Sequence, residues 1–180
     1  FTLYANVDGY KAKFRTESEH LLDRYLLAKT RQLVESVDSK MEDYDLPGAT
    51  ESIQAFIDAL NNWYIRRSRD RFWEESTQEN EKQKKDAYDT LCTVLKIFSQ
   101  VSAPFLPMIM EEIHTGLTGE PSVHLTDWPN PESLPEDKSL VANMDRIRDA
   151  ASTALRLRED EGLRVRLPLS SMVIFKLSSV

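Results

Sequence analysis

SEHLLDRYLLAKTRQLVESVDSKMEDYDLPG, residues 18–48, decides the architecture. Leu22, Leu26, Leu33, Val37, Met41 and Tyr44 recur at intervals of three, four or seven residues, so they share one face of a helix. Ser18 is placed to cap its start, and LPG at 46–48 breaks it. The same grammar repeats downstream. Pro47 suits the first turn of a second helix, where a missing N–H costs nothing. That helix is predicted from about Pro47 to Trp73, with a seam of Ile53, Phe56, Ile57, Leu60 and Tyr64. A third covers about 80–102, with Tyr88, Leu91, Cys92, Leu95 and Phe98 inward. SAPFLP interrupts the chain, and Pro104 fits the opening of a fourth helix carrying Phe105, Ile109, Ile113 and Leu117. Residues 118–136 read as a long proline-rich loop strapped down by Val123, Leu125 and Trp128. A fifth helix follows at about 138–161, with Leu140, Met144, Ile147, Ala151 and Leu155, and Gly162 ends it. LRVRLPLSSMVIFKL alternates like a strand. The expectation is an all-α fold: an antiparallel bundle of about five helices, a Pro-rich loop before the last, and a short C-terminal β segment. Residues 1–16 form a lead-in, 17–161 the bundle, and 162–180 the start of a junction segment.

Composition narrows the function classes. The chain has 180 residues, 41% of them apolar, enough to bury a core. Its five glycines favour helices over a loop-rich sandwich. The single cysteine, Cys92, excludes an internal disulfide framework or a Cys-based zinc cluster, and a reducing compartment is the default. It falls on an apolar seam and reads as an inert core residue. No apolar run approaches the roughly 20 residues that span a bilayer. FTLYANVDGY lacks the features of a signal peptide. The chain opens without methionine and stops at FKLSSV, as a piece of something larger would. Its net charge of −7 repels phosphate at long range, so any nucleic-acid binding has to be local.

One local exception exists. NNWYIRRSRDRFW, residues 61–73, sets Arg66, Arg67, Arg69 and Arg71 between Trp63–Tyr64 and Phe72–Trp73. At about 100° per residue, Arg67 and Arg71 continue the seam past Tyr64 and should meet carboxylates of a neighbouring helix. Arg66, Arg69 and Trp73 then face outward. Guanidinium planes and aromatic rings stack on unpaired bases, and arginine pairs bidentately with phosphate, so the outward set suits single-stranded RNA. Lys82, Lys84 and Lys85 add charge nearby. The plainer alternative is a solvated face with Trp73 packed on the next helix, and composition alone favours it.

Other constellations fail on geometry. Glu17…His20 and Glu111…His114 have the spacing of bundle metal sites, but the wheel turns Glu17 and His20 away from the core, faces Glu111 outward and sets His114 off centre, so both histidines read as solvated. Ser122, His124 and Asp127 could be written as a triad, yet no glycine-rich elbow or oxyanion donor pair accompanies them. No phosphate-cradling glycine loop occurs. The expectation is no catalytic residue, no metal and no cofactor within these residues.

Taken in order, LLDRYLLAKT, ALNNWYIRRSRDRFW, LKIFSQVSAPFLPMIMEEIH, SVHLTDWP and LRVRLPLS resemble the anticodon-binding region of class I aminoacyl-tRNA synthetases, in the subgroup for branched aliphatic amino acids. SVHLTDWP and the arginine-rich run point to its isoleucine branch, with valine and leucine as alternatives. TLYANVDGY resembles the family's junction leaving the catalytic core, so the likeness covers nearly the whole chain. It implies a helical bundle that grips the anticodon stem and loop of an isoleucine-accepting tRNA. It implies a parent cytoplasmic enzyme that uses ATP and Mg to ligate isoleucine to that tRNA, through a catalytic domain in the same polypeptide. The HIGH-like and KMSKS-like ATP signatures are absent from these residues, as is any cysteine cluster of a zinc-bearing C-terminal part. The likeness makes Arg66, Arg69, Trp73, Lys82, Lys84 and Lys85 the tRNA-binding candidates, and the fragment a monomer off the membrane. Tyr25 stands where the family pattern suggests tryptophan, and Asp70 interrupts the arginine stripe. A protein-interaction bundle without an RNA role is the competing class, favoured by the acidic balance.

Overall fold

A computed structural model describes residues 2–74, 77 and 80–173. The elements are α1 (Thr2–Val7), α2 (Leu21–Glu42), α3 (Leu46–Asp58), a π-helix (Ala59–Ile65), α4 (Arg69–Trp73), α5 (Glu81–Ser102), α6 (Pro107–Thr118), two single 3-10 turns (Val123–Leu125 and Pro131–Ser133) and α7 (Lys138–Asp160). The fold is all-helical, with no strand among the described residues. The strand expected over LRVRLPLSSMVIFKL is absent from 163–173, which form turns and bends, and its last residues lie outside the described ones.

Helix α2 starts at His20 rather than Ser18. The His20 ring nitrogen Nδ1 accepts from the Leu22 amide at 3.3 Å, while Ser18 donates to Asp23 at 2.8 Å. The buried stripe of α2 is Tyr25, Leu26, Leu27, Leu33, Val34 and Val37. Tyr44, expected on that stripe, is 90% exposed because the helix stops two residues earlier and Tyr44 turns the chain with φ +56°. Asp45 then caps α3 by accepting from the Gly48 amide at 3.0 Å. A Cβ at Gly48 would sit 2.0 Å from an Asp45 carboxylate oxygen, so a larger residue there would displace the capping carboxylate.

The described residues form two compact units, one up to Lys138 and the other from Ser139 on. In the first, α2 packs on α3 and α5, α5 on α6, and α4 on α5. Phe56 of α3 stacks on Phe98 of α5 at 5.7 Å, and Phe72 of α4 meets Tyr88 of α5 at 5.3 Å. Burying one such side chain contributes about 1.5–3 kcal/mol. The lead-in runs beside α5 and is fastened to it. The Tyr10 hydroxyl and the Lys13 amide donate to Asp89 at 2.9 and 2.8 Å, and the Arg15 amide donates to Thr93 at 2.8 Å. Burial and the Asp89 hydrogen bond push the Tyr10 hydroxyl up to about 12, so it keeps its proton and remains a donor.

Helix α6 differs from its sequence reading. Ala103 to Phe105 form a turn, with the Phe105 and Leu106 amides both donating to the Ser102 carbonyl, so Pro107 rather than Pro104 opens the helix. Met110 and His114 face inward, while Ile109 is 52% exposed. His114 is therefore buried, not solvated. Its Nδ1 lies 3.0 Å from Ser99 Oγ and its Nε2 3.0 Å from Glu120 Oε2. Glu120 also pairs with Lys96 at 2.6 Å; those hydrogen bonds from Lys96 and His114 hold its carboxyl below the usual range. A buried imidazole needs both nitrogens satisfied, and α5 supplies one partner while the end of α6 supplies the other. The following loop is held by Val123 and Leu134, both buried; Leu125 is 78% and Trp128 40% exposed. Glu111 accepts from the Ser122 hydroxyl and the Val123 amide at 3.0 and 2.8 Å, and Arg31 donates to the Leu134 carbonyl at 3.1 Å.

In the second unit, α7 ends in a Schellman turn. Gly162 has φ +65°, and the Leu163 and Gly162 amides donate to the carbonyls of Arg158 and Glu159 at 2.7 and 2.9 Å. The Arg158 guanidinium donates to the carbonyls of Arg164 and Leu167, both at 2.5 Å.

His114→Ala is expected to lower stability by about 2–4 kcal/mol, through a cavity and two stranded partners. Urea unfolding checks it; a loss below about 0.5 kcal/mol would mean the imidazole is not a packing element.

Candidate nucleic-acid interface

The arginine segment is built on a change of helix type. From Phe56 on, Phe56, Leu60, Tyr64, Ser68 and Phe72 are buried at four-residue intervals, with Ala59 buried beside Leu60. In a continuous α-helix such a series drifts by about 40° per step. A π-helix closes i→i+5 hydrogen bonds and so holds more residues per turn. The stretch Ala59–Ile65 cancels the drift and keeps the series facing the core. The single helix expected over Pro47–Trp73 is therefore three segments: α3, the π-helix and α4.

The register change redistributes the arginines. Ser68, not Arg67, follows Tyr64 inward, so Arg67 is exposed. Its guanidinium lies over Trp63, 3.7 Å from the ring centroid, instead of reaching a carboxylate. Arg71 does turn inward. It donates to both carboxylate oxygens of Asp23 at 2.7 and 2.8 Å and to the Gln83 carbonyl at 2.9 Å. Asp23 is fully buried and also accepts from Tyr64 at 2.8 Å and Ser18 at 2.8 Å. Burial pushes the Asp23 carboxyl up, but the Arg71 pair and the two hydroxyl donors outweigh it and hold it below the ordinary carboxylate range. Burial keeps the Tyr64 hydroxyl protonated, hence a donor. His20, 3.3 Å from Arg71, is held below its ordinary value, first by burial and then by the Arg71 cation.

Outside this clamp, Arg66 and Arg69 are exposed, and Trp73 is 52% exposed with the Arg69 guanidinium 4.4 Å from its ring centroid. Lys82 and Lys85 are exposed as well, beside Glu19 at 3.0 Å and Glu81 at 2.5 Å. They rim an open groove of about 530 Å³ together with Lys13, Phe14 and Arg15. Lys84 does not join them. It is 5% exposed, with its ammonium 2.7 Å from Asp8 and 2.8 Å from the Glu74 carbonyl. It faces inward on α5 and ties the lead-in and the end of α4 to that helix.

The alternative chemistries disperse. His20 caps α2, Glu111 and Ser122 secure the loop, and His124 is exposed. Cys92 is half-buried, and burial pushes its thiol up. Two residues central to the site are not among the candidates that the sequence offers. Asp23 was hidden in LLDRYLL, where a carboxylate within an apolar run is the signal for a buried partner. Trp63 is the other; its indole nitrogen is buried without a hydrogen-bond partner among the described residues.

Residues 23–173 match the family model for the anticodon-binding domain of tRNA ligase, a range that takes in Asp23, Arg71, the π-helix, Arg66, Arg67, Arg69, Lys82 and Lys85. The chain belongs to this family. It is 53% identical over 174 residues to the isoleucine–tRNA ligase of Leifsonia xyli, covering 97% of this chain and 15% of that protein. It is 51% identical over 161 residues to that of Mycobacterium tuberculosis, covering 89% and 15%. It is 45% identical over 167 residues to that of Tropheryma whipplei, covering 93% and 15%. The chain thus spans about 15% of the length of these curated relatives. No helix among the described residues is long and apolar enough to cross a membrane.

In this anticodon-binding domain, Arg71→Ala should cost about 3–5 kcal/mol, because it strands a buried carboxylate. Arg67→Ala should cost no more than about 1 kcal/mol, the scale of an exposed cation–π contact. Thermal or urea unfolding of the two variants separates them, and equal losses would contradict the clamp. The Asp23 contribution is full above the unfolded carboxylate range and disappears as pH falls through its depressed folded value. The His20 contribution is full above the unfolded imidazole value of about 6.5 and is lost as pH falls through its own depressed value. Asp23→Asn should therefore flatten the most acidic part of the stability–pH curve.

Proposed function

We propose that residues 17–161 bind the anticodon stem and loop of an isoleucine-accepting tRNA, within a class I isoleucine–tRNA ligase. The observation that carries this reading is the sorting of the arginines. One is consumed by the Asp23 clamp, and Arg66, Arg67 and Arg69 are left exposed on the short stretch that also holds Trp63 and Trp73. Such a surface can hold phosphates with guanidinium forks and stack splayed bases on planar groups. The names of the relatives support isoleucine over valine or leucine. The ligase would join isoleucine to the tRNA 3′ end using ATP and Mg at a catalytic domain of the same cytoplasmic polypeptide. The present residues would supply grip and orientation, as a monomeric arm built as an antiparallel bundle, with no chemistry of their own. The lead-in and residues 162–180 would be its junctions to neighbouring parts.

Net charge −7 constrains the mode of binding. The proposed contacts are the arginine stretch together with Lys82 and Lys85, within an acidic chain, so affinity should be modest and fall steeply with salt. Trp73 and Arg69 would act as one stacked unit, and Lys82 and Lys85 would meet backbone phosphate.

Arg66→Ala is expected to weaken binding of the isoleucine tRNA roughly tenfold and to reduce the slope of log affinity against log salt by about one. In the full-length ligase, ATP–isoleucine exchange should stay unchanged. Loss of both activities together would assign Arg66 to folding, and salt-independent binding would favour a protein-interaction role. Charging the three branched-chain amino acids onto tRNA tests the isoleucine assignment.

A further inference from the structure

We propose that the stacked pair of Arg67 on Trp63 is a platform for one unpaired base of the bound RNA loop, a role that rests on the tRNA-binding reading above. Three observations place it there. First, the guanidinium lies 3.7 Å from the indole centroid, at van der Waals contact, whereas the Arg69–Trp73 pair is looser at 4.4 Å. Second, Arg67 is exposed and has no carboxylate in ion-pair range among the described residues, so the face turned away from the indole is open. Third, the ring beneath is fixed. Trp63 is half-buried and sits inside the π-helix, one residue before Tyr64, which is locked to Asp23 at 2.8 Å.

The physical consequence is a preorganised cationic plane. A free surface arginine must surrender side-chain freedom when a base stacks on it, and Arg67 has already done so on the indole. Guanidinium planes accept bases face to face, and the indole's negative face steadies the cation from below. A lysine offers the same charge as a point and no plane, so the two roles of charge and surface can be separated experimentally. The register change that creates the π-helix is what brings Arg67 out. In a continuous α-helix it would have followed Tyr64 toward the core.

The test uses the full 180-residue chain and an RNA anticodon stem-loop hairpin carrying fluorescent aminopurine at each loop position in turn. With the unaltered chain, one position should be quenched on binding. Arg67→Lys should abolish that quench while leaving low-salt affinity within about threefold, since its charge is kept. Arg67→Ala should remove the quench and weaken binding about tenfold, because it loses the charge as well as the stacking plane. Survival of the quench in Arg67→Lys, or no quenched position on a saturated hairpin, overturns the platform while leaving tRNA binding standing. Failure of the unaltered chain to bind the hairpin even at low salt overturns the tRNA reading and this inference with it.

Discussion

The bidentate contact between Arg71 and Asp23 is the constraint on which the functional surface depends. It joins α4 to the first turn of α2, 48 residues apart in sequence, and it does so in a place where neither charge could stand alone. An isolated carboxylate at that depth would be too costly to keep ionised. The Tyr64 and Ser18 hydroxyls complete its hydrogen bonds, and the Gln83 carbonyl occupies a further donor of the guanidinium. Such a network contributes orientation more than net stability. It sets which way the short helix α4 faces, and so where every neighbouring cation points.

The π-helix is the second half of the same device. Without it, the buried series from Phe56 to Phe72 would wind off the core by about 40° at each step. With it, Tyr64 reaches Asp23, Ser68 and Phe72 stay inward, and Arg66, Arg67, Arg69 and Asp70 are left exposed. An acidic chain thereby presents a compact positive, aromatic surface without a broad basic face. The proposed use of that surface starts from the family to which the chain belongs. The buried positive groups, Arg71 and Lys84, are spent on holding α4 and the lead-in to the rest of the first unit.

Where sequence reading and structure part company, the reason is a long-range partner or a local change of period. Helix α5 and the start of α3 lie close to where hydrophobic spacing and proline put them, because those signals act within a turn or two. Tyr44 left its predicted stripe because Asp45 and Gly48 form a cap that ends α2 early. His114 went from surface to interior because Ser99 and Glu120 offer both ring nitrogens a partner, and a helical wheel drawn from α6 alone contains neither. Arg67 went from interior to surface because a wheel of constant pitch cannot anticipate i→i+5 bonding. The charge of its neighbours predicts an outward Lys84, yet Asp8 and the Glu74 carbonyl draw it inward.

The chain by itself determined the helical class, the approximate length of most helices, most of the apolar seams of α2, α3 and α5 and the presence of one arginine–aromatic run, since periodicity, proline and capping are short-range physics; in α7 the predicted seam residues Ile147 and Leu155 are exposed. The chemistry that the run can offer was also legible, because side-chain type alone sets what a guanidinium or an indole can bind. The helical wheel already turned Arg71 inward and Arg66 and Arg69 outward, but which carboxylate Arg71 meets and that Arg67 stays outside was decided only in three dimensions. That choice turns on a carboxylate four dozen residues away and on the pitch of one helical turn. Both are properties of packed neighbours, and no local pattern of residues encodes them.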